Sequence, residues 1–192
     1  MLAYDADLEL FRDNFRRFMQ EQIAPHYEQW EREGIMPRSV WTALGENGFL
    51  CVDVPEEYGG YGVPTHYSLM LVEESARAGF SALSTGISCH SEIAAPYILH
   101  IGSEEQKQYW LPKMVSGEVV GAIGMTEPGA GSDLQSMRSS AILQGDHYLL
   151  NGSKTFISNG QHAGLVVLAV KTDPQARAKG VSLMLVDTHL EG

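Results

Sequence analysis

Apolar side chains recur every three or four positions near the start of the chain, at Leu8, Phe11, Phe15, Phe18, Met19 and Ile23. Charged residues fill the positions between them, so this stretch is predicted to form an amphipathic helix with one apolar face. Pro25 interrupts the pattern, and a second short helix is predicted to follow it and to end at Gly34. The chain therefore opens as a helical structure.

Helical spacing or composition predicts four further helices, at residues 38–47, 67–78, 83–100 and 103–110. Gly48 and Gly79 follow two of them and suit the left-handed conformation that ends a helix. Thr65 is placed to cap the helix at 67–78. Ser103 and Gln106 fit the reciprocal capping pattern that opens a helix. The first two-thirds of the chain is thus predicted to be helical.

Beyond Gly117 the pattern changes to short runs that predict strands at residues 119–123, 139–143, 147–150, 154–158, 165–170 and 181–186. Gly145-Asp146 and Asn151-Gly152 lie between strands and favour hairpin turns. The predicted fold class is α+β, with an all-helical N-terminal domain over residues 1–118 and an antiparallel β-sandwich or barrel-like domain over residues 119–192. Five or six strands rarely cover both inner faces of a sandwich. We therefore expect this domain to be truncated and the chain to be a fragment of a longer protein.

Composition and charge narrow the classes of function. The net charge of −11 argues against a nucleic-acid partner, which requires a basic face. No apolar run reaches the length of a membrane span, so no membrane insertion is expected. The segment from Met1 to Asp7 has neither the basic nor the apolar region of a secretion signal, so we expect a cytoplasmic protein. The seven histidines form no metal-binding spacing, and no metal site is predicted.

The segment at residues 124–133, Gly-Met-Thr-Glu-Pro-Gly-Ala-Gly-Ser-Asp, is the most informative in the chain. Gly129 and Gly131 allow the backbone to approach a ligand without a Cβ between them. Successive N–H groups in such a loop form a concavity for an oxyanion or a ring carbonyl, and Thr126 and Ser132 add hydroxyls. The alternative is an ordinary glycine-rich turn between strands. A dinucleotide-binding loop is disfavoured because the third glycine is missing.

Four stretches, in this order along the chain, resemble conserved segments of the acyl-CoA dehydrogenase family, specifically its long-chain members. They are residues 54–62, 102–112, 125–135 and 151–160. The resemblance covers essentially the whole chain. It implies the family's helical N-terminal domain and part of its β-rich middle domain, without the C-terminal helical domain.

The resemblance implies FAD as the cofactor. The residues it places beside FAD are Ile123, Gly124, Met125, Thr126, Glu127, Pro128, Gly129, Ala130, Gly131, Ser132, Phe156, Ile157 and Ser158. Thr126 is implied to hydrogen-bond the flavin ring, Phe156 to pack on its face, and Ser158 to reach its reactive nitrogen. Residues two apart share one side of the strand predicted at 154–158, which suits an edge-and-face contact. The alternative for Phe156 is a core aromatic of the β domain.

For the substrate, the resemblance implies that Ser132 and the Ala178-Lys179 turn approach the CoA moiety. Lys179 is as well explained by a solvated loop lysine as by a phosphate contact. The implied reaction is α,β-dehydrogenation of a long-chain fatty acyl-CoA to trans-2-enoyl-CoA, with hydride transfer to flavin N5, within fatty acid β-oxidation and lipid metabolism. The family's base is a glutamate of the C-terminal helical domain. No catalytic residue is therefore assigned, and these 192 residues alone are expected to be inactive.

The implied partners are an acyl-CoA substrate and an electron-transfer flavoprotein as electron acceptor. A homo-oligomer, tetramer or dimer, is expected to assemble through the missing domain. Two alternatives stay open at this point. One is a relative with different chemistry, such as an acyl-CoA oxidase or a nitroalkane oxidase. The other is a non-catalytic flavin- or acyl-CoA-binding module that is complete at this length.

Overall fold

The computed structural model describes residues 6–190. Residues 1–5, which hold most of the segment considered for a targeting signal, and residues 191–192 lie outside that range. The chain divides into two compact units, Met1–Val119 and Val120–Gly192. Within residues 6–190, no helix is both long and apolar enough to cross a membrane.

The first unit is helical, as the periodicity predicts. Its α-helices are α1 (Ala6–Phe18), α2 (Ala24–Glu33), α3 (Ser39–Glu46), α4 (His66–Arg77), α5 (Ser81–Ile87), α6 (Ala95–Ile101) and α7 (Glu104–Val115). A 3-10 turn at Glu56–Tyr58 lies in the loop between α3 and α4. Helix α7 continues past its predicted end at residue 110 and contains Pro112.

Two π-helical turns join pairs of α-helices. The sequence predicts an interruption at the first of these places and a single helix across the second. Met19–Ile23 links α1 to α2, and Ser88–Ala94 links α5 to α6. Each is followed by a proline in the first turn of the next helix. A proline lacks the N–H that the regular α-helical hydrogen bonds need. The helical turn before it therefore closes its hydrogen bonds over one more residue than an α-helix does. The predicted single helix at 83–100 is therefore two α-helices with a π-turn between them.

The core of the first unit contains a cluster of aromatic rings. Phe49, in the loop after α3, has its ring centroid 4.9 Å from that of Phe15 and 5.3 Å from that of Phe18. All three side chains are buried. At the edge of this core, Arg16 donates to the buried carboxylate of Glu74 at 2.7 Å and so ties α1 to α4. The apolar face predicted for the first helix is the face that packs inward.

The second unit is built on β1 (Val120–Gly124), β2 (Ser140–Gln144), β3 (His147–Asn151), β4 (Ala163–Lys171) and β5 (Val181–Asp187). Strand β4 is central: it pairs with β1, with β5 and, through Ser140 and Lys171, with β2. Strand β3 pairs with β2 alone among the described strands. The apolar run of β4 is explained by this central position.

The predicted α+β class is confirmed, but the antiparallel sheet is wrong in detail. Strands β1 and β4 run parallel, with Gly121 opposite Leu165 and Gly124 opposite Leu168. The sheet is therefore mixed. A parallel pair needs a long crossover, and here the crossover contains the 124–133 loop and the β2–β3 hairpin. Sequence alternation reports which face a residue occupies but not which strand lies beside it.

Candidate flavin site

The loop at residues 124–133 leaves the end of β1 and turns back immediately. The N–H of Glu127 donates to the carbonyl of Ala130 at 2.9 Å, and the N–H of Ala130 donates to the carbonyl of Glu127 at 3.1 Å. Pro128, whose ring fixes φ, and Gly129 form the exposed tip of this turn. Ala130 is buried and packs in a small core cluster with Met137. The turn thus fixes which residues face inward and which face outward.

Two glycines in this loop have no role in folding that the structure shows. Neither Gly129 nor Gly131 has a positive φ, and a Cβ built on either would meet no atom within 4 Å. Within residues 6–190, the N–H groups of Gly129, Gly131 and Ser132 donate to no protein acceptor. Close approach of a ligand to bare backbone is the remaining reason for glycine at both positions.

The segment at residues 152–160 is pinned beside this loop. The N–H of Thr155 donates to the carbonyl of Thr126 at 2.9 Å. Asn159 has a φ of 63°, and its Nδ2 donates to the carbonyl of Gly121 in β1 at 3.2 Å. Hydrogen bonds at both ends therefore hold the segment against β1 and the loop that follows it.

The strand predicted at residues 154–158 is wrong. The N–H of Gly160 donates to the carbonyl of Ile157 at 3.0 Å, closing a turn, and Phe156 has a φ of 56°. A phenylalanine in the left-handed region cannot continue a strand. Phe156 and Ser158 therefore do not share one side of a strand.

Phe156 presents its ring to the exterior of the second unit. Its side chain is 92% exposed, so the alternative of a core aromatic is wrong for the described part of the chain. A left-handed, non-glycine backbone costs roughly 1–3 kcal/mol and is often found at ligand contacts. An aromatic face held outward at that cost, beside a loop with unused N–H groups, suits a flat aromatic ligand.

Glu127 has the opposite orientation and faces inward. Its carboxylate accepts from the N–H of Arg138 at 2.6 Å, from the N–H of Ser139 at 3.0 Å and from Nζ of Lys154 at 2.9 Å. Burial alone would raise the pKa of this carboxyl, but the hydrogen bonds from Ser139, Arg138 and Lys154 hold it at about 2. Glu127 is therefore an ionised structural carboxylate and is not suited to remove a weakly acidic proton.

The turn that carries Ala178 and Lys179 is a short 3-10 helix, Arg177–Gly180. It lies next to another 3-10 turn, Leu134–Ser136, which directly follows the 124–133 loop. Both Ala178 and Lys179 are exposed. The structure thus brings the predicted substrate residues to the Ser132 end of the loop.

Most of the sequence-predicted site residues gather at one place in the second unit. Ile123 and Gly124 end β1, residues 125–132 form the loop, and Phe156, Ile157 and Ser158 lie within the pinned segment. Lys154 and Asn159, which join the segment to the loop and to β1, were not predicted as site residues from the sequence. A predicted strand gave no signal for them, because both act through long-range contacts to backbone carbonyls.

Comparison with known sequences assigns both units. The profile described as "Acyl-CoA dehydrogenase, N-terminal domain" matches residues 5–118, and that described as "Acyl-CoA dehydrogenase, middle domain" matches residues 122–192. The chain belongs to the acyl-CoA dehydrogenase family. The two matches meet where the two compact units divide.

Individual relatives cover the chain almost completely. The "Long-chain specific acyl-CoA dehydrogenase, mitochondrial" of Sus scrofa is 40% identical over 191 residues, which are 98% of this chain and 44% of that protein. The crystal structure of acyl-CoA dehydrogenase from Geobacillus kaustophilus superposes with a TM-score of 0.95 at 49% identity and covers 100% of this chain and 50% of that one. The chain thus spans about half the length of the acyl-CoA dehydrogenases it matches.

FAD is the cofactor of this family. The crystal structure of acyl-CoA dehydrogenase complexed with FAD from Bacillus anthracis matches with a TM-score of 0.87 at 30% identity, over 99% of this chain and 33% of that one. Other curated relatives are isovaleryl-CoA and glutaryl-CoA dehydrogenases. Membership of the family therefore leaves the acyl group open.

Proposed function

We propose that this chain supplies the flavin- and thioester-binding half of an FAD-dependent acyl-CoA dehydrogenase, which oxidises an acyl-CoA to trans-2-enoyl-CoA. The observation that carries the proposal is the exposed ring of Phe156, held beside the 124–133 loop by the hydrogen bond from Thr155 to Thr126. The N–H groups of Gly129 and Gly131, which donate to no protein acceptor within residues 6–190, are available to the same ligand. Because FAD is the cofactor of this family, we assign FAD as that ligand.

The residues of this chain bind and orient. Phe156 offers a flat apolar surface to a flavin ring, and the hydroxyl of Thr126, which has no partner among the described residues, is available to the ring edge. Ser132 and Lys179 are proposed to contact the polar arm of a CoA ester. The bound FAD supplies the chemistry of accepting a hydride from the substrate β carbon. The protein must still provide a base for the α proton.

That base is not proposed from this chain. Glu127 is excluded as the base because its carboxylate is buried and ionised and already accepts three hydrogen bonds. We therefore propose that the base belongs to a C-terminal helical domain, as the family resemblance implies. Residues 1–192 on their own are expected to form no enoyl-CoA with FAD and an artificial electron acceptor.

We further propose a long-chain acyl substrate, an electron-transfer flavoprotein as electron acceptor, a homo-oligomeric assembly and a cytoplasmic location. The substrate proposal is supported by the motifs at residues 125–135 and 151–160 and by the identity to a long-chain relative. An acyl-CoA chain-length series with the full-length protein tests it. Highest kcat/KM for short or branched acyl groups would overturn the long-chain assignment, and rapid reoxidation by oxygen would favour an oxidase.

A glycine variant tests the flavin site itself. Gly131→Ala in the full-length protein is expected to leave the thermal midpoint of the apoprotein nearly unchanged, because the new Cβ meets no protein atom within 4 Å. It is expected to weaken FAD binding about tenfold or more, because the Cβ enters the space of the ligand. Titration of the apoprotein with FAD, followed by quenching of flavin fluorescence, measures the effect.

Gly145→Ala, in the β2–β3 turn, is the control for a glycine change outside the loop at residues 124–133. That glycine has open space around its Cβ position but a φ of 66°, so this variant is expected to lose some stability and to keep its affinity for FAD. Equal FAD affinity in Gly131→Ala and in the wild type would contradict the proposed site.

A further inference from the structure

Lys154 and Glu127 form an ion pair that is almost completely buried. Nζ of Lys154 lies 2.9 Å from Oε1 of Glu127, and their side chains are 9% and 6% exposed. Burying two charges is expensive, and a pair of apolar residues of the same volume often gives equal or greater stability. A buried pair therefore calls for a reason other than stability, and its position indicates one.

The pair joins the two segments that carry the proposed flavin contacts. Lys154 also donates from Nζ to the carbonyl of Met125 at 2.9 Å. Its neighbour Thr155 donates to Thr126 at 2.9 Å. Residues 154 and 155 thus hold residues 125, 126 and 127 through three hydrogen bonds. Phe156 follows immediately, so its direction depends on the two residues before it.

The other contacts of the pair anchor it to the sheet. The Glu127 carboxylate accepts from the N–H groups of Arg138 and Ser139, just before β2. The stem of Lys154 passes the end of β1, where a Cβ added to Gly124 would lie 3.6 Å from its Cγ. The pair is therefore fixed to rigid elements on one side and to both exposed segments on the other.

We propose that Glu127 and Lys154 are positioning residues: their ion pair locks the 124–133 loop to the 152–160 segment and so sets the geometry in which Phe156 and the free loop N–H groups receive the flavin. The inference rests on the proposed flavin site. It adds a function for two side chains that are almost completely buried. Loss of the link leaves the segment held by the Thr155–Thr126 hydrogen bond at this end and by the Asn159–Gly121 hydrogen bond at the other.

The test separates positioning from simple stabilisation. In the full-length protein, the apoprotein's thermal midpoint, its dissociation constant for FAD and the visible circular dichroism of bound flavin are measured for Lys154→Met, Glu127→Gln, the double variant and Lys154→Arg. Lys171→Met, in β4, is the control for loss of one positive charge in the same unit. The dichroism reports how the flavin is held, which a change in stability alone does not alter.

Each single variant leaves a buried charge without its partner, so both are expected to lower the thermal midpoint. Both are also expected to raise the FAD dissociation constant about tenfold or more and to change the dichroism. The double variant removes both charges and recovers most of the midpoint, but its dissociation constant stays raised because the link is gone. Lys154→Arg keeps the charge and stays close to wild type, as does Lys171→Met.

A double variant whose FAD affinity returns to the wild-type value together with its thermal midpoint would overturn the proposal, since the pair would then serve stability alone. If the single variants do not fold, the double variant and Lys154→Arg give the same decision. A wild-type protein that binds no FAD would instead overturn the proposed function. The two failures are therefore distinguishable.

Discussion

Glu92 is a half-buried carboxyl whose protonation is expected to control the stability of the first unit. It lies in the π-helical turn Ser88–Ala94 and accepts a hydrogen bond from the hydroxyl of Ser68. Burial, with a smaller contribution from the negative charge of Asp53, raises the pKa of Glu92 to about 7. Asp53 itself has a raised pKa, caused first by burial. The pKa values of both neighbouring carboxyls, Glu92 and Asp53, are thus raised above their usual values.

Because the Glu92 pKa is about 7 in the folded chain and 4.5 without the fold, the folded state binds more protons between these values. Stability should therefore fall as pH rises through this window. Glu92→Gln removes the titration, so its thermal midpoint should match the wild type near the lower pKa and exceed it above the upper one. Thermal unfolding from acidic to mildly alkaline pH measures the difference.

Glu104→Gln is the control of opposite sign. Hydrogen bonds from Gln108 and Tyr58 lower the pKa of Glu104, so its ionised form stabilises the fold. The stability of this variant relative to the wild type should therefore decrease as pH rises through acidic values. A difference between Glu92→Gln and the wild type that does not change with pH would contradict the assignment for Glu92.

Helix α7 begins with a capping pattern that is visible in the sequence, and its contribution to the free energy of unfolding can be measured. Ser103 accepts from the N–H of Gln106 at 3.3 Å, and the side chain of Gln106 accepts from the N–H of Ser103 at 2.9 Å. Ser103→Ala should therefore lower the free energy of unfolding by about 1 kcal/mol. Thr65 holds the same position before α4 but makes no capping hydrogen bond. Thr65→Ala should have little effect in the same urea titration, and equal losses in both variants would contradict the assignment.

The two caps also show which local features the sequence predicts. Spacing located both cap positions, but only the structure distinguishes the cap with reciprocal hydrogen bonds from the one without. Gly48 and Gly79 do take the predicted left-handed conformation, because glycine adopts it without steric conflict. A local sequence pattern predicts structure reliably where the residue's own chemistry determines the backbone conformation.

Signals that depend on distant partners are not visible in the sequence. The sequence of residues 154–158 predicts a strand, yet the hydrogen bonds of Lys154 and Thr155 go to Met125, Thr126 and Glu127 in another loop. The resemblance to the family identified the 124–133 loop and Phe156, but it gave no role to Lys154. The buried ion pair could not be predicted because its two residues are far apart in the chain and each has an ordinary solvated alternative.

At the scale of the whole molecule, the β2–β3 hairpin exposes apolar side chains on both of its faces. Leu143 is opposite Tyr148, and Ile142 is opposite Leu149. These four residues are 59%, 48%, 41% and 46% exposed in the order Leu143, Tyr148, Ile142 and Leu149. Neighbouring residues of a strand point to opposite faces, so each face carries one pair. Strand β3 also leaves one edge unpaired among the described strands, which invites association with other chains.

Residues 1–192, expressed by themselves, should therefore self-associate through this hairpin. A double variant, Leu143→Lys with Leu149→Lys, places one charge on each face and should at least roughly halve the associated fraction.

Leu10→Lys is the matched control, because Leu10 is 63% exposed on helix α1 but lies outside the hairpin. Sedimentation velocity at increasing concentration measures the associated fraction. A monomeric wild-type chain, or an equal effect of Leu10→Lys, would show that the hairpin does not drive association. In the full-length protein the double variant should instead lose stability if further chain covers these faces, since it would then bury two charges.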